Sequence, residues 1–204
     1  MEKEKHYQEL AKQISALVEG ETDSISVMAN VSAAIHEAMG FFWTGFYIVK
    51  GDELRLGPFQ GSVACMHIPY GRGVCGTSWQ RKATIVVPDV EEFPGHIACS
   101  SLSRSEIVVP VFDANGNVTA VLDIDSRELN TFDEVDQRWL EEIVSKLSVY
   151  SFPQAEVRIG FDSFLHLVIK RREKIQASRF LYLVNSNQIV LQIMVNLFVR
   201  EDKP

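Results

Sequence analysis

Three cysteines, Cys65, Cys75 and Cys99, are the residues most able to do chemistry, and they are spaced by 10 and by 24 positions. Cys99 lies in a run of small and polar residues that includes Gly95, His96, Ala98, Ser100 and Ser101. Such a loop has room for a ligand and for hydrogen bonds that stabilise a thiolate. A lone reactive thiol stalls as a sulfenic acid after one oxidation, whereas a second cysteine within reach condenses with it to a disulfide and allows recycling. The plainer reading of any free cysteine is a small buried hydrophobe. That reading suits Cys75 better than Cys65 or Cys99, which both lie in polar or small-residue loop sequence. A zinc site from the three thiols and His67 or His96 would lack the tight spacing usual in structural zinc sites, so no metal is expected.

Carboxylates form the second constellation. Asp123 and Asp125, in Val121-Leu122-Asp123-Ile124-Asp125, are two residues apart in strand-like sequence and share one face, while Leu122 and Ile124 point to the other. Glu106, at the start of a neighbouring predicted strand, is placed to join them. Like charges held close raise one pKa, which suits a group that must bind an ammonium or deliver a proton near neutral pH. Otherwise the acids make a solvated strand face.

The stretch Gly71-Arg72-Gly73-Val74-Cys75-Gly76 matches a dinucleotide-binding fingerprint, with Asp89 and Glu91 about 20 residues on. That fingerprint works between a buried strand and a full helix. Here the preceding strand ends at Pro69 and the expected helix, Thr77 to about Lys82, is under two turns. A glycine loop that turns backbone N–H groups toward a ligand is expected instead of a nucleotide site.

The elements that must position these groups follow from periodicity. Tyr7, Leu10, Ile14, Leu17 and Val18 recur at helical spacing, and a second apolar face, Ile25, Met28, Val31 and Ile35, follows the cap candidates Thr22, Asp23 and Ser24. A hairpin is expected from Trp43 to Val49 and Glu53 to Leu56 around Gly51-Asp52. Short strands follow at His67–Pro69, Thr84–Val87, Glu106–Phe112 and Asn117–Ile124, the last two joined by Asp113-Ala114-Asn115-Gly116. Thr131 with Glu134 reads as a capping box opening a helix to about Leu147. The order predicts an α+β fold with a mostly antiparallel central sheet and the N- and C-terminal helices packed on one face. The strand-poor stretches Gly57–Ala64 and Asp89–Arg104 each contain or abut a cysteine, and long loops of that kind carry function.

With 204 residues, 46% hydrophobic and 23% charged, the chain suits one domain of about 150 residues and an appendage. A net charge of -7 argues against nonspecific nucleic-acid or anionic-membrane partners. The polar and charged run Met1–Leu10 is no signal peptide, and three clustered cysteines are no secreted disulfide framework, so a cytoplasmic location is expected. Residues 150–204 hold eight Lys or Arg and five Asp or Glu, a balance of +3, whereas residues 1–149 hold 12 and 22, a balance of -10. The expected division is therefore a domain over 1–149, which holds the cysteines and the acids, and an extension over 150–204. That extension carries a basic run, Lys170–Arg172, and an apolar run, Ile189–Val199, too short for a bilayer; a helix packed on the domain or on a second copy in a homodimer is expected.

Taken in order, Trp43-Thr44-Gly45-Phe46-Tyr47, Gly57-Pro58-Phe59-Gln60-Gly61 leading to Cys65, Gly71–Gly76, His96-Ile97-Ala98-Cys99, Ser105-Glu106-Ile107-Val108 and Leu122–Ser126 resemble the free methionine-(R)-sulfoxide reductases. The resemblance runs from about residue 5 to 148 and fills all three cysteine positions of that family. It implies a GAF domain that encloses free methionine-(R)-sulfoxide and reduces it without a cofactor. Cys99 would attack the sulfoxide sulfur and Cys65 would close the disulfide, with Cys75 an additional or alternative partner. A thioredoxin-type dithiol would reduce the bond. Glu106, Asp123 and Asp125 would hold the substrate ammonium and supply a proton, Trp43 would pack against the ε-methyl group, and Tyr47 is a second wall candidate. The competing expectation is a noncatalytic GAF sensor, because one fold hosts many functions.

Overall fold

The computed structural model describes residues 2–147. The extension, with its basic and apolar runs, lies outside the described residues. Helix α1 (Glu2–Val18) buries Tyr7, Leu10, Ala11, Ile14 and Val18, the stripe that a 3.6-residue period puts on one side. Helix α2 (Ser24–Met39) is opened by Asp23, whose carboxylate accepts from the Ser26 N–H at 2.6 Å. Gly40, in the left-handed region, closes it.

Six strands follow: β1 (Trp43–Lys50), β2 (Glu53–Gln60), β3 (His67–Pro69), β4 (Ile85–Val87), β5 (Ser105–Phe112) and β6 (Val118–Ser126). They form one sheet in the order β3-β2-β1-β6-β5-β4, with every pairing antiparallel. Helix α3 (Gly73–Arg81) lies between β3 and β4, and helix α4 (Glu134–Ser145) follows β6. The β5–β6 turn is held by Asp113, whose Oδ1 accepts from the Asn115 and Asn117 N–H groups at 2.8 Å each.

The sheet sorts its side chains by the two-residue period of a strand. Phe46, Ile48, Ile107, Val109, Leu122 and Ile124 pack with α1, α2 and α4 in one core. Tyr47, Val49, Val108 and Val121 face the opposite side, with Val74 and Cys75 of α3. The N- and C-terminal helices share a face as expected, and α3 covers part of the other. Tyr7 of α1 donates to Asp136 Oδ1 of α4 at 2.8 Å, and Lys3 also pairs with Asp136, tying the two ends of the domain together.

Three local expectations are corrected. Strand β2 runs on to Gln60, so most of the first supposed loop is strand: Gly45↔Phe59 and Thr44↔Gln60 continue the β1 pairing beyond an irregularity between Gly45 and Tyr47. Helix α3 starts at Gly73 and has nine residues, not the six expected from Thr77. The capping box of α4 is Asp133 with Asp136, not Thr131 with Glu134. Asp133 Oδ1 accepts from Val135 and Asp136, while the Thr131 hydroxyl donates to Ser126 Oγ at 2.7 Å and ties a preceding turn.

Candidate active site

The site is built on the sheet face away from α1, α2 and α4. Glu106 on β5 pairs in register with Asp125 on β6, and Val108 with Asp123, so the three acids project from adjoining positions. Their alternation with Leu122 and Ile124, which enter the opposite core, is what aims them at the pocket. Glu106 and Asp123 are buried, only 6% and 7% exposed. Asp123 Oδ1 has no hydrogen-bond partner.

Burial in this poorly solvated pocket pushes the Glu106 and Asp123 carboxyls well above their ordinary range, and mutual repulsion among the acids adds to it. Burial also pushes Asp125 up to about 6, against a hydrogen bond from Ser103 that pulls it down. Burial and mutual repulsion thus favour the protonated forms of Glu106 and Asp123 in the empty site.

Helix α3 brings the third cysteine to the acids. Gly76 makes this approach possible: a Cβ there would lie 2.5 Å from the Pro69 carbonyl oxygen. Gly73 opens the helix at φ +60°, a conformation that L side chains rarely adopt. These constraints account for the glycine-rich pattern that imitates a nucleotide fingerprint; the strands that flank α3, β3 and β4, lie at opposite edges of the sheet rather than as the neighbouring parallel pair such a site needs. Cys75 is buried, its Sγ donating to Glu106 Oε1 across 3.9 Å. Burial first, and then Asp123 and Glu106, push its thiol well above the usual range.

Cys65 and Cys99 form a disulfide across 34 residues of chain, with their Cα atoms 5.2 Å apart. Cys99 lines the pocket together with Ile68, Gly73, Val74, Cys75, His96, Ile97, Ser100, Ser103 and the three acids. Cys65 is outside that lining, and its carbonyl accepts from the Tyr47 hydroxyl at 3.0 Å. Trp43 donates from Nε1 to the Ser62 carbonyl at 3.0 Å and stacks on Phe59 with centroids 5.3 Å apart. Trp43 and Tyr47 thus belong to the same side of the sheet as the acids, but they are outside the pocket lining in this disulfide-bonded form.

Among lining residues, His96 enters from the sequence as a possible zinc ligand and as part of the Cys99 loop, and Ser103 has no expected role. His96 Nε2 lies 3.9 Å from Glu106 Oε2, and burial lowers its pKa. Its position ahead of Cys99 in a small-residue loop is the signal for it. Ser103 carries no such signal, because its approach to Asp125 depends on how the loop returns to β5.

Residues 21–150 match the GAF domain family. The chain is 55% identical over 146 residues to GAF domain-containing protein A of Dictyostelium discoideum, covering 71% of this chain and 92% of that one. It is 43% identical over 148 residues to the free methionine-R-sulfoxide reductase of Escherichia coli, covering 72% and 89%. A solved structure of the Neisseria meningitidis free methionine-R-sulfoxide reductase, in complex with its substrate, superposes with a TM-score of 0.68 at 52% identity, covering 70% of this chain and 86% of that one.

Proposed function

Since the chain belongs to the free methionine-R-sulfoxide reductases of the GAF family, we propose that it reduces free L-methionine-(R)-sulfoxide to methionine at the Cys99 pocket. The observation that carries this reading is the Cys65–Cys99 disulfide beside a pocket floored by Glu106, Asp123 and Asp125. An oxidisable pair and an ammonium-binding floor are the two parts a free-amino-acid sulfoxide reductase needs.

In the reduced protein the Cys99 thiolate attacks the sulfoxide sulfur while one of the protonated acids donates to the oxygen. Methionine leaves as the thioether and Cys99 is left as a sulfenic acid. The Cys65 thiol then displaces water to give the disulfide seen here, and an external dithiol takes over that bond by exchange. Cys75 serves as an alternative partner for Cys99 when Cys65 is blocked; the two thiols line the same pocket.

The remaining ionised acid pairs with the substrate ammonium. The Asp123 Oδ1 atom without a partner supports this assignment, because a buried acceptor is costly until a donor arrives. A methionine inside a peptide brings no ammonium. Trp43 and Tyr47 flank the ε-methyl group once the disulfide opens.

A thioredoxin-type reductant is favoured by the surface around the disulfide, where the exposed apolar side chains Val63, Met66 and Leu102 flank Cys65 and Cys99 in sequence. No helix among the described residues is long and apolar enough to cross a membrane. The reaction is placed in the cytoplasm, where dithiol reductants keep such a pair cycling. Catalysis is assigned to residues 1–149, and a homodimer is the proposed assembly.

The test is dithiol-dependent turnover of free L-methionine-(R)-sulfoxide by the wild type and by Cys99→Ser. Turnover by the wild type and none by the variant is expected. Full steady-state activity in Cys99→Ser would overturn the reading.

A further inference from the structure

Cys75 stands outside the redox pair, yet it is buried against two acids rather than among hydrocarbon alone. One donor atom from each of Cys75, Glu106 and Asp123 lies within 4.8 Å of the others, and the three residues are 3%, 6% and 7% exposed. They come from α3, β5 and β6, so no sequence spacing announces the set.

We propose that Cys75, Glu106 and Asp123 bind one thiophilic divalent cation, of which Zn2+ is the representative, at the floor of the pocket. The donor set suits such an ion. Zinc is held by four ligands at about 2.0–2.3 Å, which puts neighbouring donors about 3.3–3.7 Å apart, so the three atoms need close by only ~1 Å. Calcium and magnesium prefer six or more oxygens and are poorly matched to a thiol.

A second observation, made on one member of the cluster, points to a ligand. Asp123 Oδ1 is buried at the pocket and makes no hydrogen bond. His96 Nε2 lies 3.9 Å from the other oxygen of Glu106 and outside the three-donor cluster, so a solvent ligand completes the four. On binding, the Cys75 thiol and any protonated carboxyl release their protons, as ligation requires.

The metal would occupy the position assigned to the substrate ammonium. It therefore acts as a competitive inhibitor, and that consequence rests on the proposed reaction, whereas the binding itself does not.

The experiment uses the full chain with Cys65–Cys99 oxidised, so that Cys75 is the one free thiol. Cd2+ is added and the near-ultraviolet charge-transfer band of a cadmium thiolate is recorded. Zn2+ uptake is measured by equilibrium dialysis on the wild type, Cys75→Ser, Asp123→Asn and a surface control, His67→Asn, with thermal melts of each. The wild type should show the band and take up one Zn2+ per chain. Cys75→Ser and Asp123→Asn should each weaken uptake at least tenfold, since even loss of an outer-shell partner costs about 10–100-fold. His67→Asn should bind as the wild type does. Absence of the cadmium band in the wild type, or zinc affinity unchanged in Cys75→Ser, would overturn the proposal, and the first of these needs no variant to fold. Free L-methionine-(R)-sulfoxide should displace the zinc; one zinc bound but not displaced leaves the metal site standing and counts against the proposed substrate instead.

Discussion

Glu106 and Asp125 are direct partners across the β5–β6 ladder, two acids facing each other on the pocket side of a buried sheet. Like charges placed opposite one another on a sheet are destabilising. Their proximity makes the empty site tense and the occupied site relaxed.

The pH dependence of stability has a definite sign. Asp125 has its folded pKa raised from 3.8 to about 6, so the folded protein binds the extra proton. The stability it contributes is fully present below about pH 4 and is lost as pH rises through about 6. Melting temperatures of the wild type and Asp125→Asn should therefore diverge across that window, the wild type losing ground as pH rises. A difference that stays constant from pH 4 to 8 would refute it.

Selectivity should reside in the acids. Asp123→Asn or Glu106→Gln is expected to lower kcat/KM for the free amino acid at least about tenfold, since a charge-assisted hydrogen bond contributes roughly 1.5–3 kcal/mol. Fold stability should change far less. Kinetics on an N-acetylated substrate provide the check: the wild type should discriminate against it, and equal use of both compounds would remove the ammonium from the argument.

The two disulfide cysteines should separate kinetically. Cys65→Ser should release one methionine per enzyme in a single turnover and then recycle slowly with dithiols, because attack precedes disulfide closure. Loss of the first turnover in Cys65→Ser, seen by quench-flow product analysis, would transfer the attacking role from Cys99 to Cys65.

Gly76→Ala should destabilise the fold by about 1–3 kcal/mol, the usual cost of forcing extra volume into a packed site. The added Cβ would lie 2.5 Å from the Pro69 carbonyl, so α3 must retreat and carry Cys75 away from Glu106. Denaturant melts read the first effect. An unchanged midpoint would show that the approach of α3 to β3 is not restrictive.

The elements with repeating local signals were legible from residues alone. The apolar stripe from Tyr7 to Val18, the cap at Asp23 and the alternation through Leu122, Asp123, Ile124 and Asp125 each depend on positions a few residues apart. The α4 cap was misread because Thr131-x-x-Glu134 and Asp133-x-x-Asp136 are overlapping patterns, and the choice depends on which residue can also meet Lys3 and Tyr7 of α1. The last residues of β2 were missed because Gly57 and Pro58 are poor strand formers, and pairing with β1 overrides them.

The sequence by itself determined the types of the reactive residues, the face on which Asp123 and Asp125 lie, and the likeness to a reductase family, since each is a property of short segments and their order. The tertiary structure has the Cys65–Cys99 pairing that the resemblance implies, and it alone decided that His96 and Ser103 reach Glu106 and Asp125, and that Trp43 and Tyr47 stand outside the pocket lining in this state. Those relationships join segments tens of residues apart. They are set by where α3 and the loops settle against the sheet, a balance of packing across the whole domain that no local pattern encodes.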